Sequence, residues 1–176
     1  MELNYKLLEN DNETKIKIWN EMIFPQYFYV EDIYYDWYGD LITYKQDDNW
    51  GTLTKEEKDK YLNNKYGKRY DNLIEYAIYN KDELIGWLCY IIQDKTSILK
   101  YVIIKEEHQN KGLGSKIMNF YFDLIKQEDI KEIKLSFNYW MKGLKEFYLK
   151  LGFKGIKEPA GSHLTVSKKI RKSNKK

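Results

Sequence analysis

The sequence has little of what marks secreted, membrane-spanning or disordered proteins. Of its 176 residues, only one is cysteine and two are proline. A single cysteine excludes an internal disulfide and favours a reducing compartment, and no apolar run approaches the roughly 20 residues that a membrane-spanning helix needs. The N-terminus MELNYKLLEND also lacks the features of a signal peptide. We therefore expect a cytoplasmic protein without a membrane partner.

What the chain does contain is typical of a folded protein. It has 43% apolar and 32% charged residues, and its length falls within the usual range of one domain. We predict a single domain over residues 1–167 and, at residues 168–176, a basic tail that is open to disorder. Cys89 lies in an apolar run and is predicted to be a buried core thiol rather than a nucleophile.

The charges are unevenly distributed along the chain. Residues 1–60 hold 7 Lys and Arg against 14 Asp and Glu, whereas residues 61–176 hold 23 against 13. A basic terminus is more often a solvated tail than a nucleic-acid arm, so we expect no nucleic-acid partner. Residues 20–48 carry seven acids against Lys45 alone, interleaved with aromatic residues. Such a composition suits a cationic amine, but an ordinary solvated acidic face over an aromatic stripe is an equal alternative.

Hydrophobic periodicity predicts alternating strands and helices. A first strand is predicted at residues 3–7, and Asp11 or Asn12 is placed to cap the helix that follows. Thr54 and Glu57 form a capping box that starts another helix towards Tyr66. Further strands are predicted at residues 73–79, 84–92, 97–104, 133–137 and 164–166. The first three of these read as hairpins, so the chain is predicted to be α/β with a mixed sheet.

Two helices are predicted in the second half of the chain. The first is amphipathic and packs one face on the sheet, because apolar residues recur at helical spacing at Leu113, Ile117, Phe120, Tyr121 and Leu124. The second covers residues 144–151 and is expected to end at Gly152.

The most informative segment is the polar turn between the strand at 97–104 and the amphipathic helix. A helix N-terminus exposes unpaired N–H groups and a partial positive charge. Glycine at positions 112 and 114 lets a pyrophosphate approach the backbone without meeting a Cβ; a tight strand-to-helix turn is the alternative. The segment matches neither a Walker A loop nor a Rossmann fingerprint.

The turn, spelled Gln109-Asn110-Lys111-Gly112-Leu113-Gly114, resembles the acyl-CoA-binding motif Q/R-x-x-G-x-G/A of GNAT-type N-acetyltransferases. A second element of that family, a tyrosine followed after three residues by Gly-Phe, occurs at residues 148–153. The resemblance covers residues 73–166. It implies a GNAT-like fold, with a mixed, mostly antiparallel central sheet flanked by helices, and acetyl-CoA as co-substrate.

Carried over by position, the resemblance also implies a set of site residues. The backbone of Val102, Ile103 and Ile104 would pair with the pantetheine arm. Tyr148 would lie near the thioester sulfur and protonate the departing thiolate; an aromatic core residue is the alternative. Met141 stands at the family's usual asparagine position, so the chain departs from the family there, and Asn138, three residues earlier, is only a candidate for a further coenzyme contact. The pyrophosphate would be held by Gln109, Asn110, Lys111, Gly112, Leu113, Gly114 and Ser115.

The acceptor side is less defined by the sequence. Glu75 is a candidate general base, with Glu106 and Glu107 as alternatives; its phase opposite to its apolar neighbours favours a solvated side chain over one turned into a cleft. His108 and His163 are expected to be surface or packing residues, and no metal is expected.

We expect acetyl transfer to a primary amine of a small cationic molecule, aminoglycoside-like or a polyamine. The alternatives are a protein or peptide amine and, from another class, a non-catalytic acyl-CoA-binding module. A homodimer stays open.

Overall fold

The computed structural model describes residues 2–9, 11–18, 21–22, 54, 56, 73–138, 141–155 and 163–170. The predicted helix at residues 54–66 lies outside this part except for Thr54 and Glu56, and so does most of the acidic, aromatic stretch at 20–48. The elements are β1 (Leu3–Leu7), α1 (Asn12–Ile18), β2 (Leu73–Asn80), β3 (Glu83–Gln93), β4 (Thr96–Ile104), a 3₁₀ turn (Glu106–His108), α2 (Leu113–Gln127), β5 (Glu132–Asn138), α3 (Lys142–Lys150), β6 (Lys154–Gly155) and β7 (His163–Lys169).

Seven strands form a mixed sheet in the order β1-β2-β3-β4-β5-β7-β6. β1 pairs antiparallel with β2, and β7 pairs antiparallel with both β5 and β6. Strands β2, β3 and β4 are hydrogen-bonded neighbours joined by two-residue turns, which only antiparallel strands allow. The pairing of β4 with β5 is parallel. The predicted mixed, mostly antiparallel sheet with flanking helices is therefore confirmed.

The last strand is longer than the sequence predicts. Lys168 and Lys169, which the sequence assigns to the basic tail, belong to β7 and lie opposite Ile133 and Glu132 of β5. Hydrophobic periodicity does not reveal these two residues as part of a strand, because both are lysines and the strand has few apolar residues. The single-domain boundary at residue 167 stays a prediction.

The chain divides into two compact units, residues 1–87 with 103–109, and residues 88–102 with 110–176. In the first unit, Asp11 caps α1: its Oδ1 accepts a hydrogen bond from Thr14 N at 2.9 Å, as the sequence predicts. Ala77, Ile78 and Ile85 are fully buried there. Within the described residues, no helix has the length and apolar character that crossing a membrane requires.

The core of the second unit is built on α2. Its buried face differs from the predicted one: Phe120 and Leu124 are half-buried. The residues that α2 buries are Leu113, Ile117, Met118, Tyr121, Phe122 and Ile125. The stripe thus contains two pairs of adjacent residues, at 117–118 and 121–122, which face a different direction from the predicted set. Cys89 is also buried, as predicted.

Candidate functional site

The first unit contains the end of β4 and the 3₁₀ turn after it. Ile103 is buried and Ile104 half-buried, and Lys105 N donates to Ile85 O at 2.9 Å. The side chain of Gln109 donates from Nε2 to Ile104 O at 2.8 Å. The side chain of Gln109 therefore caps the carbonyl at the end of β4.

The second unit contains the glycine-containing turn from Asn110 onward and the start of α2. Asn110 and Gly112 have left-handed backbones, with φ of 58° and 73°. Gly112 is the N-cap residue of a 15-residue helix whose first turn has no side-chain cap and no acid. A Cβ built on Gly112 would meet nothing within 4 Å, so the space beside this residue is open. This geometry fits a diphosphate, which the N–H groups and the helix dipole would hold.

Gly114 has a different environment from Gly112. A Cβ at Gly114 would lie 3.3 Å from Cζ of Phe147, tighter than most real Cβ contacts. The missing side chain of Gly114 leaves room for the ring of Phe147, and its part in a pyrophosphate site stays a prediction. This close approach brings the residue beside Tyr148 onto the first turn of α2.

Tyr148 is buried in an aromatic cluster on α3. It is 8% exposed, and its ring centroid lies 5.4 Å from Phe137, 5.1 Å from Phe147 and 5.6 Å from Phe153. Burial, which penalises the phenolate, raises the pKa of Tyr148 to about 12. The phenol therefore keeps its proton at neutral pH and is available as a donor.

The tyrosine and Gly-Phe element has a local structural reason, the end of α3. Gly152 adopts φ of 85°, and its N–H donates to Leu149 O at 2.9 Å while Phe153 N donates to Tyr148 O at 3.1 Å. These two bonds form a Schellman cap, which is usually accompanied by an apolar contact across the helix end. Here Phe153 packs edge-on against Tyr148. The predicted end of the helix at Gly152 is confirmed.

Glu75 is buried, which corrects the expectation of a solvated side chain. It is 5% exposed, and its Oε2 lies 2.9 Å from Nζ of Lys15 on α1. Burial raises the pKa of Glu75, while the charge of Lys15 and the hydrogen bond from Lys15 oppose that rise. Strand periodicity alone missed Lys15 because the partner comes from α1, about 60 residues earlier in the chain.

The other predicted residues are placed as follows. Val102 is half-buried, Leu113 is buried, and Lys111 and Ser115 are exposed. Asn138 is the last residue of β5, with its backbone opposite His163; its side chain lies outside what the structure describes.

Three possible metal ligands come together in the first unit. Ligand atoms of Glu83, Glu107 and His108 lie within 4.8 Å of one another, and Nε2 of the buried His108 is 3.0 Å from Glu83 Oε1. A metal-binding histidine normally donates its other ring N–H to an acceptor. Among the described residues His108 Nδ1 has no partner, so this cluster lacks the support that a metal site needs.

Comparison with known proteins gives one family and many similar folds. The model of the acetyltransferase (GNAT) family matches residues 27–153. No curated protein matches the chain significantly.

Three similar crystal structures illustrate the shared fold. An acetyltransferase from Thermus thermophilus is 14% identical, with 97% of this chain and 98% of that chain covered and a TM-score of 0.68. The PaiA N-acetyltransferase from Thermoplasma acidophilum, in complex with coenzyme A, is 20% identical, with 97% and 100% covered and a TM-score of 0.62. The ribosomal-protein-S18-alanine N-acetyltransferase from Escherichia coli is 11% identical, with 99% and 97% covered and a TM-score of 0.63.

Proposed function

The chain belongs to the GNAT family of acetyltransferases, and on that premise we propose that its acceptor is a primary amine of a small cationic molecule. The family defines the rest of the reaction: the enzyme is an N-acetyltransferase and acetyl-CoA is its co-substrate. The proposal concerns the acceptor, the residues that hold acetyl-CoA and the proton donor.

The turn at residues 109–115 is the proposed pyrophosphate site. The observation that supports it is the open, left-handed Gly112 at the N-terminus of α2, a helix whose first turn has neither a side-chain cap nor an acid. Anions bind such helix starts through backbone N–H groups. The strand end formed by Val102, Ile103 and Ile104 would face the pantetheine arm, and Asn138 stays a proposed further contact.

Tyr148 is the proposed proton donor. In the reaction a neutral amine attacks the thioester carbonyl and the C–N bond forms, after which the nitrogen loses a proton to a base and the C–S bond breaks. The departing thiolate takes its proton from Tyr148, and the proton released from the nitrogen returns to the phenolate through solvent. The pKa of Tyr148 is about 12, whereas the pKa of a free alkyl thiol is near 8.5. A free thiolate is therefore a weaker base than the Tyr148 phenolate. A thiolate enclosed with Tyr148 is desolvated too, which raises its own pKa and narrows the difference.

The proposed acceptor rests on the charge pattern of residues 20–48. Seven acids against one lysine, set among aromatic residues, would attract and hold a molecule with several ammonium groups. An aminoglycoside-like compound or a polyamine has that chemistry. Glu75 is retained as a proposed base, although its ion pair with Lys15 also suits a purely structural role.

Calorimetric titration with acetyl-CoA tests the coenzyme site. Gly112→Asp should abolish measurable binding, since a carboxylate there repels the pyrophosphate and strains a left-handed backbone. Gly143→Asp is the matched control, because Gly143 on α3 is exposed and a Cβ there also meets nothing within 4 Å. Equal binding by wild type and Gly112→Asp would move the coenzyme site elsewhere.

An acceptor screen tests the amine. Coenzyme A release should be fastest with spermidine or kanamycin. The KM of the enzyme for the amine should rise steeply with salt, because the attraction between the acidic residues and the amine is electrostatic. Replacing Asp36 and Asp40 by Asn should raise that KM without changing the KM for acetyl-CoA.

A peptide amine is the second candidate acceptor. It is favoured by the similarity in fold to an enzyme whose name specifies an alanine of ribosomal protein S18. Release of coenzyme A with peptide N-termini but with none of the small amines would establish this alternative and exclude the small cation.

A further inference from the structure

The last carbonyl after α3 is held by a side chain from β7. Nζ of Lys168 donates a short hydrogen bond to the carbonyl oxygen of Leu151, the residue that follows α3. A cation at a helix C-terminus also interacts favourably with the helix dipole. Lys168 therefore adds a side-chain hydrogen bond to the two backbone bonds of the Schellman cap at this helix end.

The same ammonium lies against the aromatic cluster that contains Tyr148. Lys168 Nζ is 4.3 Å from the centroid of Phe122, in cation–π geometry. Phe122 lies 6.1 Å from Phe153, and Phe153 lies 5.6 Å from Tyr148. A chain of ring contacts thus connects Lys168 to the proposed proton donor.

The stem of Lys168 starts from a rigid part of the sheet. Its backbone lies opposite Ile133 in the β5–β7 pair, and Ile133 is fully buried. At the other end, the ammonium fits closely, because a Cβ on Gly152 would lie 3.5 Å from Lys168 Nζ. Lys168 therefore joins a fixed strand to the end of α3 that carries Tyr148.

We propose that Lys168 is a positioning residue for Tyr148: it fastens the C-terminal end of α3 to β7 and so fixes where the Tyr148 hydroxyl lies. The inference rests on the proposed role of Tyr148 as proton donor. A displacement of about 1 Å at a reacting group can reduce a rate about a hundredfold, so a loosened helix end should lower kcat rather than acetyl-CoA affinity.

A double-mutant cycle between Lys168 and Tyr148 tests this. Lys168→Met keeps the apolar stem and removes the ammonium, and it should lower kcat about tenfold. The substrates are acetyl-CoA and spermidine, or a short peptide if spermidine is not acetylated. The KM for acetyl-CoA should change less than about twofold. In the Tyr148→Phe background the same substitution should have almost no effect on kcat, because there is no hydroxyl left to misplace.

Two further variants separate positioning from stability. Lys168→Arg retains a cation and a donor and should restore about half of the lost kcat or more. Lys169→Met removes the neighbouring lysine, which is 78% exposed and pairs with Glu132; it should leave kcat unchanged. All rates are measured well below the unfolding midpoint of the least stable variant.

The outcomes are distinct. Equal losses from Lys168→Met in both backgrounds, or no rescue by Lys168→Arg, would overturn the positioning role while the proposed function stands. An unchanged kcat in Tyr148→Phe, or a wild-type protein that acetylates no amine tested, would overturn the inference together with the proposal on which it rests.

Discussion

The two buried ionisable residues that were expected to act in catalysis, Tyr148 and Glu75, have very different surroundings. Tyr148 is packed against three phenylalanine rings, and burial raises its pKa to about 12. Burial raises the pKa of Glu75 as well, but an ammonium stands 2.9 Å from its carboxylate and opposes the rise. The same desolvation thus keeps the phenol protonated, whereas it makes the carboxylate dependent on its partner Lys15.

The largest effect is expected at Tyr148. Tyr148→Phe keeps the ring packing and removes only the hydroxyl, so it should lower kcat about 10²- to 10⁴-fold with little change in acetyl-CoA affinity. Because the pKa of the Tyr148 phenol is about 12, the phenol stays protonated from about pH 7 to about pH 10. The ratio of wild-type to variant kcat should therefore stay constant over this range. A ratio that collapses within this range would show that another group donates the proton.

The Glu75 side of the comparison is expected to respond in stability. Lys15→Met leaves a buried carboxylate without its partner and should lower the free energy of unfolding by about 3 kcal/mol. The loss should grow as pH rises above the ordinary glutamate pKa of 4.5, because a carboxyl whose pKa is raised by folding favours the native state only while it is protonated. Denaturant unfolding at acid and neutral pH measures this.

Lys17→Met is the matched control for that experiment. Lys17 lies on the same helix, half of its side chain is exposed, and its nearest carboxylate, Glu21, is 3.9 Å away; exposed pairs of this kind contribute little to stability. Glu75→Gln supplies the catalytic test. A variant that stays folded but loses acetyl transfer would make Glu75 the base and remove the contrast with Tyr148.

The comparison also shows what the sequence can predict. The strand and helix order, the cap at Asp11 and the end of α3 at Gly152 depend on neighbouring residues, so local patterns suffice for them. The environment of Glu75 depends on Lys15, and that of Gly114 on Phe147, which lies 33 positions further along the chain. No period or turn preference reports such pairs, so the residue types were predicted while their surroundings were not.

The motif glycines give a smaller, crossed pair of effects. Gly114→Ala forces the Phe147 ring to give way by a few tenths of an ångström, so it should lower kcat about tenfold by disturbing the neighbouring Tyr148, with acetyl-CoA affinity unchanged. Gly112→Ala should instead weaken acetyl-CoA binding by about fivefold, because alanine costs about 1 kcal/mol at a left-handed backbone and so shifts the free turn away from the conformation that binds. Steady-state kinetics and calorimetry on both variants check the pattern; matching effects would mean that the two glycines serve one function.

The smallest effect is expected at Asp11, whose pKa is shifted down whereas that of Glu75 is shifted up. A hydrogen bond from Lys6, the largest favourable cause, lowers the pKa of Asp11 from 3.8 to about 2, and its carboxylate caps α1. Asp11→Ala should therefore destabilise the protein by about 1 kcal/mol at neutral pH. A carboxyl whose pKa is lowered by folding contributes stability above pH 3.8, and this stability is lost as pH falls through about 2. The difference in stability between wild type and Asp11→Ala should therefore shrink on acidification. Lys15→Met should also come closer to wild type in acid, but because the Glu75 carboxyl, whose pKa is raised, becomes protonated. The Glu75→Gln background separates the two effects. If both stability differences shrink in acid and only that of Asp11→Ala persists in the Glu75→Gln background, the raised pKa is assigned to Glu75 and the lowered pKa to Asp11. A stability difference for Asp11→Ala that does not change with pH would mean that the cap acts without its charge.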